Sequence, residues 1–235
     1  MADVRIDPIH LLALPASFII GFVIPLIPVM LPFSIIGAEA KQTAMGWYQQ
    51  WPLWIAVAHY TLVVLLRATS ASSNFISQKN EQIIYRCVYT FAFAFAVLTH
   101  LPVMVVSFTA SVWPALFKDE YIHLLQPKHL LVPTNPFSDT KVTDLAEGMF
   151  WLIQWDYFSG YLAPAFWAFS LYRIADATRS QSGSLRHSLI RAALYCLMAG
   201  PVGIAVGMIW ERDEMMLSLD HAAPLEETQS QKKAQ

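Results

Sequence analysis

Five long apolar segments dominate this sequence. They run from about residue 9 to 36, 47 to 66, 83 to 109, 146 to 172 and 188 to 210. Each is near or above the roughly 20 apolar residues that cross a bilayer as a helix. Only 14% of the 235 residues are charged and 56% are hydrophobic, so a soluble core cannot absorb these segments. We therefore predict an all-α polytopic transmembrane helix bundle, with five spans favoured and up to seven possible.

The predicted bundle fills residues 1–210 as a single domain. Residues 211–235 form a polar C-terminal tail, which we expect to be largely disordered because the stretch after Pro224 has no apolar face. The first apolar run exceeds the roughly 7 to 15 residues of a signal-peptide core, so we expect a retained membrane helix. The side of the membrane with more Lys and Arg at the segment ends is assigned to the cytosol. This places Arg191 on the cytosolic side and Glu211, at the other end of the last segment, on the opposite side.

Charge and motifs exclude several functional classes. The net charge is −2 without a dense basic patch, so we expect no nucleic-acid partner. No metal-binding set of His, Asp or Glu at fixed spacing appears, nor a P-loop, a Rossmann glycine pattern or a nucleophile elbow. We therefore predict neither cofactor nor metal. The lipid bilayer is the one certain partner of such a chain, and the sequence does not set its oligomeric state.

Two segments carry residues that shape helices. The first contains Pro15, Pro25, Pro28 and Pro32, and each proline removes a backbone donor. Either a helix folded around a pocket or a merely bent span fits this pattern. The last segment has the small-residue spacing Gly203-Ile-Ala-Val-Gly207, which predicts a packing face.

Asp156 is the strongest candidate for chemistry. It lies near the middle of segment four, where an aspartate costs about 2.5 to 3.5 kcal/mol on insertion scales. Ser159, Gly160 and Ala163 follow at helical spacing, so we expect Asp156 to point into the bundle. Desolvation favours the protonated form of such a carboxyl, which can act as a general acid. The alternative is a structural aspartate bonded to a neighbouring helix.

Aromatic and imidazole side chains complete the predicted site. An aromatic cluster in segment four can stabilise a cation through its ring faces, although such rings often serve packing alone. The substrate-binding candidates are Trp151, Trp155, Tyr157, Tyr161 and His100. His59, at mid-depth in segment two, is a candidate catalytic partner of Asp156. The alternative for either histidine is a neutral side chain satisfied by a backbone carbonyl.

Three stretches together resemble the small fungal integral-membrane terpene cyclases of meroterpenoid pathways. They are the proline-rich HLLALPASFIIGFVIPLIPVMLP, the following KQTAMGWYQQWPLWIAV, and QWDY in segment four. The ascochlorin and ascofuranone type is the most similar. The resemblance implies a cyclase of the endoplasmic reticulum that protonates the terminal epoxide of a farnesylated aromatic and directs the carbocation through ring closure.

The resemblance has one gap. Members of the wider family use a glutamate in an early helix and an aspartate near the end. Segment two offers only His59 at that depth, and the late acids Glu211 and Asp213 lie at or beyond the membrane edge. Asp156 is therefore predicted as the acid, with Glu211 as a second catalytic candidate.

Two other functions fit the same pattern. A sterol-isomerase-like membrane enzyme also moves protons beside an aromatic-stabilised cation, and it needs two proton-handling groups. A non-catalytic scaffold or transporter subunit needs no buried acid, so its function would survive replacement of Asp156 by asparagine.

Overall fold

The computed structural model describes residues 7–70, 78–135, 137, 141–179 and 184–233, and the regular structure in these ranges is helical. This confirms the all-α prediction. The α-helices are α1 (Pro8–Phe18), α2 (Ile24–Met30), α3 (Phe33–Ile36), α4 (Ala38–Tyr48), α5 (Trp51–Ser70), α6 (Gln78–Val112), α7 (Asp119–Leu125), α8 (Pro127–Leu131), α9 (Leu145–Arg179) and α10 (Leu185–Lys233).

The chain divides into two compact units, residues 1–92 and 93–235. The prediction of one bundle over residues 1–210 stays a prediction. Within the described residues, four helical stretches are long and apolar enough to cross a membrane: Pro8–Met30, Trp51–Thr69, Gln82–Val112 and Leu185–Leu217. The predicted segment four forms α9, which is not among these four, so the count of five spans also stays a prediction.

The proline-rich opening of unit 1 is helical from Pro8 to Met30. A π-helical turn, Ile19–Val23, joins α1 to α2, and Pro25 cannot donate the usual hydrogen bond to the preceding turn. The helix ends at Met30, and Leu31 is extended. Gly21 allows α5 to approach closely, because a Cβ atom there would lie 2.6 Å from the Cα atom of Ile55. The two interpretations left open by the prolines, a helix folded around a pocket and a bent span, both stay predictions.

Helix α9 is fixed at its start and along one face. The Asp144 carboxylate accepts from the Glu147 backbone N–H at 2.9 Å, and Glu147 accepts from Thr143, so both acids cap the helix. About two turns after Glu147, the Gln154 amide donates to the carbonyls of His129 and Leu130 at 2.6 and 3.2 Å. These bonds hold α8 against α9.

Helix α10 folds back on itself. Ala199 and Gly200 have non-helical backbone angles, and Gly200 has a φ of 67°, a conformation that glycine adopts readily. The residues before and after this break meet: Arg191 and Tyr195 both bond to Glu211. In a straight helix Arg191 and Glu211 would stand about 30 Å apart. Residues 185–198 and 201–217 therefore form an antiparallel pair, called here the α10 hairpin.

The α10 hairpin and α9 enclose the core of unit 2. Ala168 and Tyr172 of α9 pack with Ala192 and Met208, one from each half of the hairpin. Residues 185–198 span only about 21 Å at 1.5 Å per residue, less than the roughly 30 Å hydrocarbon core. The stretch Leu185–Leu217, which qualifies as a span by length and composition only, therefore does not run as one straight helix. The placing of Arg191 and Glu211 on opposite sides is wrong, because the two side chains meet.

The predicted small-residue face does pack, and its partner is the same helix. A Cβ atom on Gly207 would lie 2.7 Å from the Tyr195 ring, and one on Gly203 would lie 2.5 Å from the Ala199 Cβ atom. The two glycines let the halves of the α10 hairpin approach. Beyond it, the helix continues to Lys233, where the sequence predicts a disordered tail. The run Ala-Ala-Pro-Leu-Glu-Glu is rich in good helix formers.

Candidate active site

A cavity of about 720 Å³ lies in unit 2 between α9 and the α10 hairpin. This volume falls within the range of small-molecule binding sites. It is lined by Tyr172, Asp176, Ser184, His187, Ser188, Arg191, Tyr195, Trp210, Glu211, Glu214 and Met215. Three aromatic rings and three carboxylates therefore share one cavity.

Both carboxylate oxygens of Glu211 accept a hydrogen bond from a side chain that lines the cavity. Tyr195 donates its hydroxyl proton to Oε1 at 2.5 Å, and Arg191 donates to Oε2. Arg191 also donates to the Tyr172 hydroxyl oxygen at 3.4 Å. Each oxygen of Glu211 thus receives a hydrogen bond from the protein, and a charge-assisted bond from an arginine is among the stronger ones.

The other two cavity carboxylates are also bonded. Asp176 pairs with Arg173 at 3.1 Å, and Arg173 donates to the Ser188 hydroxyl as well. The Glu214 carboxylate accepts from the Trp210 indole N–H at 3.3 Å. Since Asp176 and Ser188 come from different helices, these bonds close one wall of the cavity.

Aromatic rings surround this polar group. The ring of Phe93 meets that of Tyr195 edge-on, with centroids 5.6 Å apart. Tyr172 is almost fully buried in the core, which fixes its ring at the cavity wall. Aromatic rings beside a cavity can stabilise a bound cation through their faces.

The Asp156 side chain does not face the α10 hairpin. Its side chain is exposed, as are Ser159, Gly160 and Ala163 on the same face. The packed face of α9 instead contains Ala165, nine residues on and thus on the opposite side of the helix. The expected orientation of Asp156 is therefore wrong, because an alanine face packs against the α10 hairpin. The role of Asp156 as an acid stays a prediction.

His100 and two of the predicted aromatic residues meet at the tip of the α10 hairpin. A Cβ atom on Gly200 would lie 2.9 Å from both His100 Nδ1 and the Tyr157 hydroxyl, and the Tyr161 ring is 4.8 Å from that of Tyr157. These residues surround the turn, eleven residues or about 16 Å along the helix from Glu211.

Trp155, Trp151 and His59 lie in other surroundings. The Trp155 indole donates to the Thr134 carbonyl at 3.0 Å, so it anchors the connecting segment, and Trp151 is half-buried on α9. His59 belongs to unit 1, where it contacts His10 and Ser17. Asp156 makes no hydrogen bond within the described residues, so neither histidine bonds to it there.

The sequence reasoning missed the contact between Arg191 and Glu211. Its signal was Gly200-Pro201, a pair typical of turns, in the middle of an apolar segment. Arg191 and Glu211 lie at similar distances on either side of that pair. Among the described residues, no group of three His, Cys, Asp or Glu side chains is arranged to hold a metal ion.

Comparison with known proteins gives one family. The model of the CtvD domain matches residues 2–217. Terpene cyclase ascI of Acremonium egyptiacum is 29% identical over 224 residues, 93% of this chain and 55% of that protein. Terpene cyclase penA of Penicillium crustosum is 29% identical over 84% of this chain and 52% of its own length. No solved structure matches.

A third relative agrees. Terpene cyclase ctvD of Aspergillus terreus is 29% identical over 86% of this chain and 53% of its own length. The chain thus spans about half the length of these curated relatives. The resemblance to fungal meroterpenoid cyclases is confirmed, and because the domain model covers nearly the whole sequence, this chain belongs to the CtvD domain family.

Proposed function

We propose that this protein is a membrane-bound terpene cyclase of the endoplasmic reticulum, acting on an epoxidised farnesyl chain attached to an aromatic ring. The observation that carries the proposal is the match to a family whose curated relatives are named terpene cyclases. Four helices apolar enough to enter a membrane support a hydrophobic substrate.

The reaction is an isomerisation. An acid gives a proton to the epoxide oxygen, the bond from that oxygen to the tertiary carbon breaks, and the alkene electrons close a ring onto the resulting cation. A final carbon–hydrogen bond then gives its proton to a base. Atoms balance without an added reactant, so an acid, a base and a cation-stabilising wall are what the protein must supply.

Glu211 meets these needs best. It lines the cavity together with Tyr172, Tyr195 and Trp210. In the structure Glu211 is a carboxylate paired with Arg191, so it must first take up a proton, which the final deprotonation of each turnover returns to it. When it gives that proton to the epoxide, negative charge reappears on a carboxylate that Arg191 and Tyr195 already face. Their hydrogen bonds strengthen as that charge develops, which stabilises the transition state more than the ground state. The carboxylate then offsets the charge of the carbocation and is available for the final proton.

Asp156 is the competing acid. It lies sixteen residues before Tyr172, about 24 Å along α9, so a compact cyclising chain cannot reach both Asp156 and the cavity. Its exposed side chain also has no hydrogen-bond partner among the described residues. The two carboxyls are therefore alternatives.

Product analysis separates them. Membranes from cells that express the chain, wild type, Glu211→Gln or Asp156→Asn, are supplied with an epoxyfarnesyl phenol, and products of unchanged mass are resolved by chromatography. We expect Glu211→Gln to lower turnover about 100-fold or more, the scale for loss of a central electrostatic group, and Asp156→Asn to stay within threefold of wild type.

Asp213→Asn is the matched control, because Asp213 is bonded to Arg212 and does not line the cavity. Loss of product in Asp156→Asn alone, at equal expression, would move the acid to α9. Absence of product from the wild type with several epoxyfarnesyl aromatics would contradict the cyclase and favour the isomerase or scaffold functions.

A further inference from the structure

Unit 1 contains a continuous line of polar side chains that the cyclase proposal does not use. At one end, Arg67 donates to the Asp7 carboxylate at 2.9 Å and to His10 Nε2 at 3.4 Å. His10 Nδ1 lies 3.0 Å from His59 Nε2. The line thus joins the exposed ion pair to a histidine about 12 Å further along α5.

The line ends at a buried serine. His59 Nδ1 lies 3.5 Å from the Ser17 hydroxyl, which donates to the Leu14 carbonyl at 2.8 Å. Ser17 is fully buried. Its hydroxyl hydrogen is therefore committed to the carbonyl, and its oxygen is left to accept from His59.

The direction of every bond follows from the two ends. Arginine is only a donor, so His10 Nε2 accepts and the proton of neutral His10 sits on Nδ1. His10 Nδ1–H then donates to His59 Nε2, which leaves the His59 proton on Nδ1, facing Ser17. Both histidines are thereby assigned the same tautomer, and all donors point from the edge of α5 toward Ser17.

We propose that this line is a proton relay between the aqueous edge of the membrane and His59. A proton from water binds His10 Nε2 in place of the long bond from Arg67. The His10 Nδ1–H bond then breaks as an Nε2–H bond forms on His59, and the positive charge moves to His59. The reverse steps return the proton to water. A reaction that gives or takes protons inside a membrane needs such a path, because bulk water is absent there.

Within the described parts of α1 and α5, few charged groups face the relay. Helix α6 also meets α1, through Phe91 and Phe18, and it carries Arg86. Asp7 and His10 belong to the start of α1, and Arg67 and His59 to α5; the Tyr60 ring meets His59 edge-on at 5.7 Å. The π-helical turn that also packs on α5 contains no titratable residue. Asp7 lies beside Arg67 and so keeps the entrance ion-paired.

The test is nuclear magnetic resonance of the full chain in lipid nanodiscs with ¹⁵N-labelled histidine, without substrate. We expect the His59 proton on Nδ1. Across pH 4 to 8 we expect His59 to titrate and to exchange its added proton with water rapidly, as read from relaxation dispersion. In His10→Gln, whose amide keeps a donor and an acceptor but takes up no proton, that exchange should slow at least tenfold.

His100 in unit 2 is the internal control, and its exchange should not change. A His59 proton on Nε2, a His59 that does not titrate, or unchanged exchange in His10→Gln would each overturn the relay. His10→Phe removes the bond altogether and should match His10→Gln; a slower rate in His10→Phe alone would assign the pair a structural role. Because no substrate is present, these outcomes are independent of the cyclase proposal.

Discussion

Asp156 lies inside an apolar segment and Glu211 lies at the end of one, and the fold gives the two acids opposite surroundings. Asp156 lies on an exposed face of α9 among other exposed residues. Glu211 lies in a cavity and accepts bonds from Arg191 and Tyr195. The difference arises from the fold-back of α10, which brings a distant arginine and tyrosine to one carboxylate. Depth within an apolar segment therefore says less about function than the partners that the fold supplies.

Of the changes that test the contrast between Glu211 and Asp156, we expect Tyr195→Phe to have the largest effect, a loss of turnover. Tyr195→Phe removes a hydrogen bond to Glu211, and bonds to charged groups contribute about 1.5 to 3 kcal/mol. We expect cyclisation to fall about 10- to 100-fold, measured as product formed per unit of protein. Tyr161→Phe, on α9 outside the cavity, should stay within threefold of wild type. A greater loss in Tyr161→Phe would shift the site to α9.

Next in size is a pair of glycine substitutions. In Gly207→Ala, the new methyl group meets the Tyr195 ring at 2.7 Å, so we expect a loss of about 1 to 3 kcal/mol in stability from overpacking. In Gly160→Ala, the methyl group meets open space, and replacing a helical glycine should gain up to about 1 kcal/mol. Thermal unfolding in detergent measures both. Equal shifts would contradict the close packing of the α10 hairpin.

The smallest effect concerns a third carboxylate, Asp7, outside the apolar stretches. The Ile9 backbone N–H and the Arg67 guanidinium hold the pKa of Asp7 below its usual value. Its contribution is therefore present above the unfolded pKa of about 3.9 and is lost as the pH falls through the lower folded value. Asp7→Ala should cost about 1 kcal/mol near pH 7, because Asp7 caps α1.

That difference should shrink below about pH 4, where the carboxyl of the unfolded chain begins to be protonated, and it should be lost as the folded carboxyl is protonated at its lower pKa. Asp7→Asn, which keeps a capping oxygen, should lie closer to wild type than Asp7→Ala in unfolding curves collected from pH 3 to 8. A difference between wild type and Asp7→Ala that is constant across this range would exclude the ionised carboxylate as its cause.

Much of the fold could be predicted from sequence, because its causes are local. Apolar length and composition predict helices, and the spacing of Gly203 and Gly207 predicts a packed face. The prolines of the first segment predict bending but not its form, since a π-helical turn depends on packing around Gly21. The family resemblance extended these predictions to a function that composition alone does not give.

The candidate site was harder to predict, because its contacts join residues far apart in sequence. Helical spacing groups Asp156 with Ser159 and Gly160 on one face, but it does not say whether that face meets a neighbour. A straight helix over residues 188–210 would hold Arg191 and Glu211 far apart. The turn at Gly200 is the feature that brings both side chains together.

The α10 hairpin is the central claim, and a distance measures it most directly. The exposed residues Leu185 and Met216 are changed to cysteine, Leu185→Cys and Met216→Cys, in a chain whose native Cys87 and Cys196 have been replaced. Spin labels are then attached to the two introduced cysteines. Pulsed electron paramagnetic resonance in nanodiscs should give a distance within about twice the 8–10 Å spacing of packed helices. A distance near the roughly 47 Å of a straight helix would contradict the fold-back and, with it, the site built around Glu211.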